Sequence, residues 1–466
     1  MKNIKYLFLA GLFILPALAA HAVDWWGDAH DTDWFNAENW RSPIPTASAN
    51  VEIYGNYADD KVVIGSGTAF AASVSLIKDV TDAALEIKGT GFLNITGING
   101  DFHINDNSSL VIKDSGSATA RFFYSTNYGT VTLSDNANLT DNGDGYFNNY
   151  GAITLSGNAC FQMYQINSIG SAVLTLQDHA AIRTANAITL SSGGNDTLNI
   201  ESDQAQITKL DGVTPAVILA RGYLNGASHT INFNHSGTLT FDNQLVERLL
   251  EQAYNEDNEY YYPVASENAN HTLALNAISG VTKLTAANAH SRGTTVSEGA
   301  TLIVANKYAL GVGDVTVEAD GTLALEAPAF QAFGLGDEDG ATFVIGGDLT
   351  VETGGILQLA ATDTLSVGGD LTFDGGLALT YGDFTELASL SLDDIFTVSG
   401  ESTLNISTIT ATDGVDTYIG TLSDGTLGDW QAQNIPEPST WFLLGVGLGG
   451  LTLLVIRRRR EMESNR

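Results

Sequence analysis

The chain is short of cysteine, proline and positive charge. A single cysteine among 466 residues cannot close an intramolecular disulfide, so a disulfide scaffold is excluded. Twenty Lys and Arg face 54 Asp and Glu, and the resulting formal charge of -34 repels nucleic acid. Only eight prolines and 16% charged residues stand against 44% hydrophobic ones, which supplies a core and argues against disorder over most of the length. Length alone suggests about three ordinary domains, whereas the periodicity described below favours one elongated unit.

The ends of the chain carry addresses. Met1 to Lys5 is positive, Tyr6 to Leu18 is apolar, and Ala20-His21-Ala22 supplies small residues around a cleavage point. This pattern predicts a secretory signal peptide over 1–22, cut before Val23. At the other end, Thr440 to Ile456 is free of charge and, at ~1.5 Å per residue, spans about 26 Å as a single transmembrane helix over 440–456. Trp441 suits one interface, and Arg457, Arg458, Arg459 and Arg460 form a cytoplasmic stop. Gly445 and Gly449 have glycine-xxx-glycine spacing, which in a Gly-rich span is weak support for helix pairing.

Pro436-Glu437-Pro438, the apolar helix and the arginine cluster, in that order, resemble a PEP-CTERM sorting signal of Gram-negative bacteria. The resemblance implies an exosortase-type enzyme as partner, processing near 436–438, an inner-membrane intermediate, and delivery to the cell surface or extracellular matrix. A plain single-pass anchor is the alternative. Without the signal peptide and the residues beyond the Pro436-Glu437-Pro438 motif, the body keeps 13 basic and 52 acidic residues, a formal -39. Such a surface binds divalent cations such as Ca2+ weakly and diffusely at most, and no cofactor is expected. The thirteen basic residues stand singly in the sequence, so no basic groove for an acidic glycan is expected.

The body repeats. Gly129-Thr130-Val131-Thr132-Leu133 returns 22 residues later as Gly151-Ala152-Ile153-Thr154-Leu155, and again 21 residues on around Leu174-Thr175-Leu176. Leu110-Val111-Ile112 precedes them. Alternation within each copy puts Val131, Leu133, Ile153 and Leu155 inward and Thr132 and Thr154 outward, which is strand periodicity. A second register runs through Gly313-Asp314-Val315, Gly347-Asp348-Leu349 and Gly369-Asp370-Leu371, each followed by a turn and a further short strand. A period near 22 with Gly, Asn and Asp turns predicts an all-β fold, a right-handed parallel β-helix or β-solenoid, of roughly 19 coils and about 90 Å at most. A sandwich would not need the same strand at that interval.

The stretch 280–325, including Gly293-Thr294-Thr295-Val296, Gly299-Ala300-Thr301-Leu302-Ile303-Val304 and Val315-Thr316-Val317, resembles the autotransporter-associated β-strand repeat. That resemblance implies a β-helical surface protein, although a sorting helix stands where a translocator barrel would follow.

Two segments depart from the pattern. Residues 23–55 hold Trp25, Trp26, Trp34 and Trp40, an aromatic cap for the first coil; the alternative makes Trp34 and Trp40 glycan contacts, because flat indole faces stack on sugar rings. Asp28, His30, Asp31 and Asp33 there offer a weak metal reading against that of a solvated turn. In 242–263, Leu245, Val246, Leu249, Leu250 and Ala253 predict a short helical excursion capped by Asp242, followed by an acidic loop with Tyr260, Tyr261 and Tyr262. The remaining parts are solenoid over 56–241 and 264–420, a linker over 421–434 and the sorting signal over 435–466.

Catalytic signals are weak. Carboxylate pairs are unavoidable at this acid content and identify nothing. His103, His179, His229, His235, His271 and His290 lack metal-ligand spacing, and Cys160 aligns with Asn138 and Ala181 as a wall residue. Asp141-Asn142-Gly143-Asp144-Gly145 and Gly193 to Leu198 resemble incomplete calcium loops and read as turns. The sequence therefore points to a non-catalytic exported surface or biofilm-matrix protein whose partner is matrix polysaccharide. The alternatives are a polysaccharide lyase or glycoside hydrolase on the same scaffold and a carbohydrate-binding adhesin.

Overall fold

A computed structural model describes residues 22–432 apart from 28–30, 56–60, 79–81, 98–100, 121–123, 142, 144, 192–193, 222–226, 248–252, 256–259, 263–270, 327–340, 383–386, 388–389 and 424–425. Three short strands make one coil: Lys61–Ile64, Thr68–Ala71 and Ser73–Lys78, then Ala84–Ile87, Phe92–Ile95 and Phe102–Ile104 in the next. Like strands stack in parallel from coil to coil and build three faces, named first, second and third in chain order. The expected register is the observed one: Val131 lies beside Ile153 and Ile153 beside Leu174, while Asn138, Cys160 and Ala181 form one column. Leu110, Val131, Ile153, Leu174 and Leu198 are all but fully buried in a continuous apolar column. Each such side chain withdrawn from water contributes roughly 1.5–3 kcal/mol.

The turn from first to second face has a use for aspartate. Gly67, Gly89, Asp114, Asp135, Gly157 and Asp178 occupy it with φ between 52° and 79°, where only Gly, Asp and Asn are comfortable. Aspartate does a second job there. Asp114 Oδ2 accepts the Gly89 N–H at 3.0 Å, Asp135 Oδ2 that of Asp114 at 3.2 Å, and Asp178 Oδ2 that of Gly157 at 2.9 Å, so each carboxylate caps the preceding coil.

Midway, Ala227–Phe241 and His271–Leu284 pair along nearly their whole length and carry one continuous strand from the first face into the second. Beyond them the faces continue separately. Thr294–Val296, Val315–Val317, Leu349–Val351, Leu371–Phe373 and Ser402–Leu404 extend the first. Thr301–Val304, Thr322–Leu325, Ile356–Ala360, Gly376–Thr380 and Thr408–Thr412 extend the second. The rod ends where Thr417–Ser423 turns antiparallel onto Thr408–Thr412 and pairs with Thr426–Ala432. In this half Asp314 Oδ1 accepts the Asp348 N–H at 2.9 Å, Asp348 Oδ1 that of Asp370 at 2.8 Å, and Asp370 Oδ1 that of Glu401 at 2.8 Å. Glycine precedes each acceptor's neighbour because a Cβ at Gly347, Gly369 or Gly400 would lie 1.9–2.3 Å from the carboxylate below. The Gly-Asp repeat is therefore a stacking device.

The helical excursion over 242–263 is corrected where the chain is described; Leu249 and Leu250 lie outside the described residues. Leu245–Glu247 is the edge strand of the ten-stranded sheet that forms the third face of the first half, paired in parallel with Val217–Arg221, and Ala253–Asn255 pairs antiparallel with Tyr260–Tyr262. In the second half the third face is the three-stranded parallel sheet of Thr342–Ile345, Thr364–Val367 and Phe396–Val398. The next rung was open at that edge, and pairing it outweighed the helical spacing of the leucines. The signal peptide, except Ala22, and the whole sorting tail with its expected transmembrane helix lie outside the described residues. Among the described residues no helix is long and apolar enough to cross a membrane.

Candidate functional site

Trp34 and Trp40, the candidate glycan contacts, require correction: they are 0% and 6% exposed. Trp40 packs edge-on against Trp25 at 5.0 Å and Trp34 at 4.9 Å, and its Nε1 donates to the Trp34 carbonyl at 2.8 Å. Val63 N–H donates to the Thr32 carbonyl at 2.6 Å and Trp34 N–H to the Val63 carbonyl at 3.0 Å, which binds this loop to the first coil. No indole face is left for a sugar on either residue, because both cover the open end of the apolar column. Asp31 is occupied as well: its Oδ1 accepts from Asn39 and its Oδ2 from Asn36, both at 2.6 Å, and these amides hold its carboxyl below the usual range. Asp28 and His30 lie outside the described residues. A partly exposed aromatic pair lies elsewhere. Tyr128 and Tyr150 stack at 4.5 Å on successive coils, where the third face turns into the first.

The outward side of the first face is an ordered polar row. Coil by coil it reads Thr132, Thr154, Thr175, Asn199, Asn232, Asn276, Thr295, Thr316, Thr350, Thr372 and Thr403, at the strand spacing of about 4.8 Å. The amides link along the rod: Asn232 Nδ2 donates to Asn199 Oδ1 at 2.9 Å and Asn276 Nδ2 to Asn232 Oδ1 at 3.0 Å. Alternation in the sequence signalled the outward threonines; their alignment into one line needed the register.

At its beginning this row meets a cluster that the sequence did not suggest. Glu86 is 2% exposed and lies beneath Lys61, Lys88 and Lys113, which come from three consecutive coils. Lys88 and Lys113 each place Nζ 3.2 Å from Glu86 Oε1, and Lys61 contacts Oε2. Desolvation and the two neighbouring ammonium groups lower the pKa of Lys61. The expectation that basic residues stand singly is thus corrected, because Lys88 and Lys113, separated by 25 residues, occupy stacked positions following Ile87 and Ile112.

A second concentration of ionisable groups is sealed. Asp196 and His229 are fully buried, with Oδ2 and Nδ1 3.2 Å apart. Asp196 also accepts from the backbone of Ala172 at 2.9 Å and Ser191 at 3.0 Å, so this carboxylate serves the connection that leads into the strand Thr197–Ile200; Gly193 lies outside the described residues. Glu247 accepts from Leu273 N–H at 2.7 Å and Ser291 N–H at 2.6 Å, and burial raises its pKa. His290 is buried too: one ring nitrogen pairs with Thr294 Oγ1 at 2.8 Å, and burial lowers its pKa to about 4. Cys160 has its thiol pKa raised by burial and stands in the wall column with Asn138 and Ala181. Asp141 bonds the Gly143 N–H at 2.8 Å as a turn. Among the described residues no group of three His, Cys, Asp or Glu is placed to hold a metal ion.

A cleft of about 210 Å³ opens where the long strands meet the second face, lined by Ile207, Thr208, Phe241, Asp242 and Asn243 among others. Asn243 Nδ2 is spent on the carbonyls of Ile207 and Ala216, both at 2.7 Å. Asp242 is the one ionisable group in this lining, so no acid–base pair faces the cleft.

Residues 434–460 match the PEP-CTERM protein-sorting motif, which covers Pro436, Glu437, Pro438 and the arginines Arg457, Arg458, Arg459 and Arg460. The match implies export with membrane-associated sorting by an exosortase. No curated protein and no solved structure matches the chain.

Proposed function

We propose that the chain is a non-catalytic structural protein of the cell surface or extracellular matrix, delivered through its C-terminal sorting signal. The observation that carries this reading is the match of 434–460 to the sorting motif, joined to a body that consists of stacked parallel coils. Such a rod is rigid because every coil bonds its neighbours through backbone ladders, and it presents the same polar side chains at fixed intervals. Many weak contacts on a regular row add up by multivalency, which suits a polymeric partner such as matrix polysaccharide.

The test is the C-terminal mass of the protein recovered from fractionated native cells. A terminus between Pro436 and Ser439 in the surface or medium fraction is the expected result. Peptides extending through Arg457 in the inner membrane would overturn it and return the tail to the role of a plain anchor.

A further inference from the structure

We propose that Lys61, Lys88 and Lys113 form a docking site for the anionic groups of an acidic polysaccharide, whose neutral stretches then lie along the adjoining threonine and asparagine row. The inference rests on the extracellular reading only for where such a polymer is met. The binding itself rests on three observations.

The first is charge. The exported body carries a formal -39, yet three of its thirteen basic residues converge on one carboxylate, a net +2 over these four side chains and still positive when the neighbouring Asp114, bonded to Gly89 N–H, is counted with them. The second is donor capacity. Each ammonium group has three donors, Glu86 offers two oxygens among three lysines, and the lysine side chains keep 44%, 43% and 39% of their surface exposed. Donors therefore remain on the solvent side, held in place from beneath. A buried carboxylate under such a group orients it and is itself unaffordable without it, so the cluster is pre-organised rather than a chance meeting of mobile side chains.

The third is position. Val63, Glu86 and Val111 are the first members of the same outward row that continues as Thr132, Thr154 and Thr175. A polysaccharide with one anionic group per several sugars places charge on the lysines and hydroxyls on that row. A nucleic acid, with a charge at every nucleotide, meets the acidic remainder of the rod and is disfavoured.

The test uses the exported protein with polygalacturonate, dextran sulfate, neutral dextran and single-stranded DNA as probes. Binding to polygalacturonate or dextran sulfate is expected, weakening as salt is raised, with none to dextran. The stronger of the two assigns the favoured group as carboxylate or sulfate. Lys88→Gln combined with Lys113→Gln is expected to weaken binding about tenfold, the scale of two charge contacts at the solvent edge. Lys283→Gln, which removes a lysine paired with Glu326 elsewhere, leaves it unchanged.

Glu86→Gln provides the opposite sign. The amide oxygen still accepts from the lysines beneath which it lies while the net charge of the cluster rises by one, so binding should tighten, which a purely structural cluster would not do. Circular dichroism melts establish that each variant is folded; if the double lysine variant does not fold, the Glu86→Gln result decides. Failure of the wild type to bind either acidic polymer overturns the proposal, as do equal affinities of wild type and variants or equal binding of DNA. The C-terminal mass of the same preparation reports on sorting separately, so a correctly processed protein that ignores both polymers removes the glycan site alone.

Discussion

The rod on either side of its two long strands solves one problem in two ways. Residues 61–221 and 294–412 both stack short parallel strands, and both must satisfy turn N–H groups and hold register without disulfides. Both halves place aspartate or glycine with positive φ at the turn from first to second face, Gly299, Asp320 and Gly354 doing so in the second; in the first half Asp114, Asp135 and Asp178 also use their carboxylates to cap the coil before them. The second half adds a carboxylate ladder at the start of the first face, where Asp314, Asp348 and Asp370 cap the coil after them and glycine clears the space. Six aspartates thus owe their place to local coil chemistry. The electrostatic cost of so many carboxylates is a surface whose net charge repels other polyanions.

Variants that act on one half at a time can break this comparison. Trp40→Ala removes the indole that joins Trp25 and Trp34, and the expected loss is about 3–5 kcal/mol, the usual range for a buried tryptophan. In a stacked rod that loss is local, so hydrogen exchange should rise in 61–221 well before 294–412; a uniform rise would show that the halves unfold together.

Next in size is an acid effect at the junction between the long strands and the second half. His290 is neutral in the fold with its pKa lowered from 6.5 to about 4, while the unfolded chain takes up the proton below 6.5. The stability that depends on neutral His290 is therefore complete above pH 6.5 and is lost as pH falls toward 4, by roughly 3 kcal/mol in all. Glu247 and Asp363, whose pKa values are raised by burial, contribute in the opposite sense, so the measurement is the difference between wild type and His290→Gln in chemical denaturation from pH 7 to 4. The variant's acid slope should be shallower. Equal slopes would mean that His290 takes up no proton on unfolding.

The smallest effect tests the ladder itself. A methyl at Gly369 would sit 1.9 Å from Asp348 Oδ1 and push away the carboxylate that accepts from Asp370, so Gly369→Ala should cost about 1–3 kcal/mol, confined to the second half. Pairing it with Asp348→Ala removes the obstruction and should recover part of the loss. Strict additivity of the two substitutions would deny that they share one contact.

The repeat was legible because burial enforces it. Val131, Ile153 and Leu174 line one column, and no other offset keeps all three inward while leaving Thr132, Thr154 and Thr175 outside. The tryptophan segment was legible as an aromatic cluster, but whether Trp34 and Trp40 faced a sugar or one another depended on contacts with the first coil. Over 242–263 the spacing of Leu245, Leu249 and Leu250 suited a helix, and an unpaired sheet edge claimed Leu245–Glu247 as a strand instead. Local pattern could not weigh that edge.

Periodicity, turn chemistry and the sorting tail belong to the sequence, since each is written in residues close together in the chain. The lysine cluster over Glu86, the line of threonines and asparagines, and the sealing of His229 against Asp196 were decided only by stacking. Residues one coil apart are 19 to 45 positions distant in sequence yet about 4.8 Å apart in space, and the variations in coil length that set their alignment are fixed by the packing of the whole column.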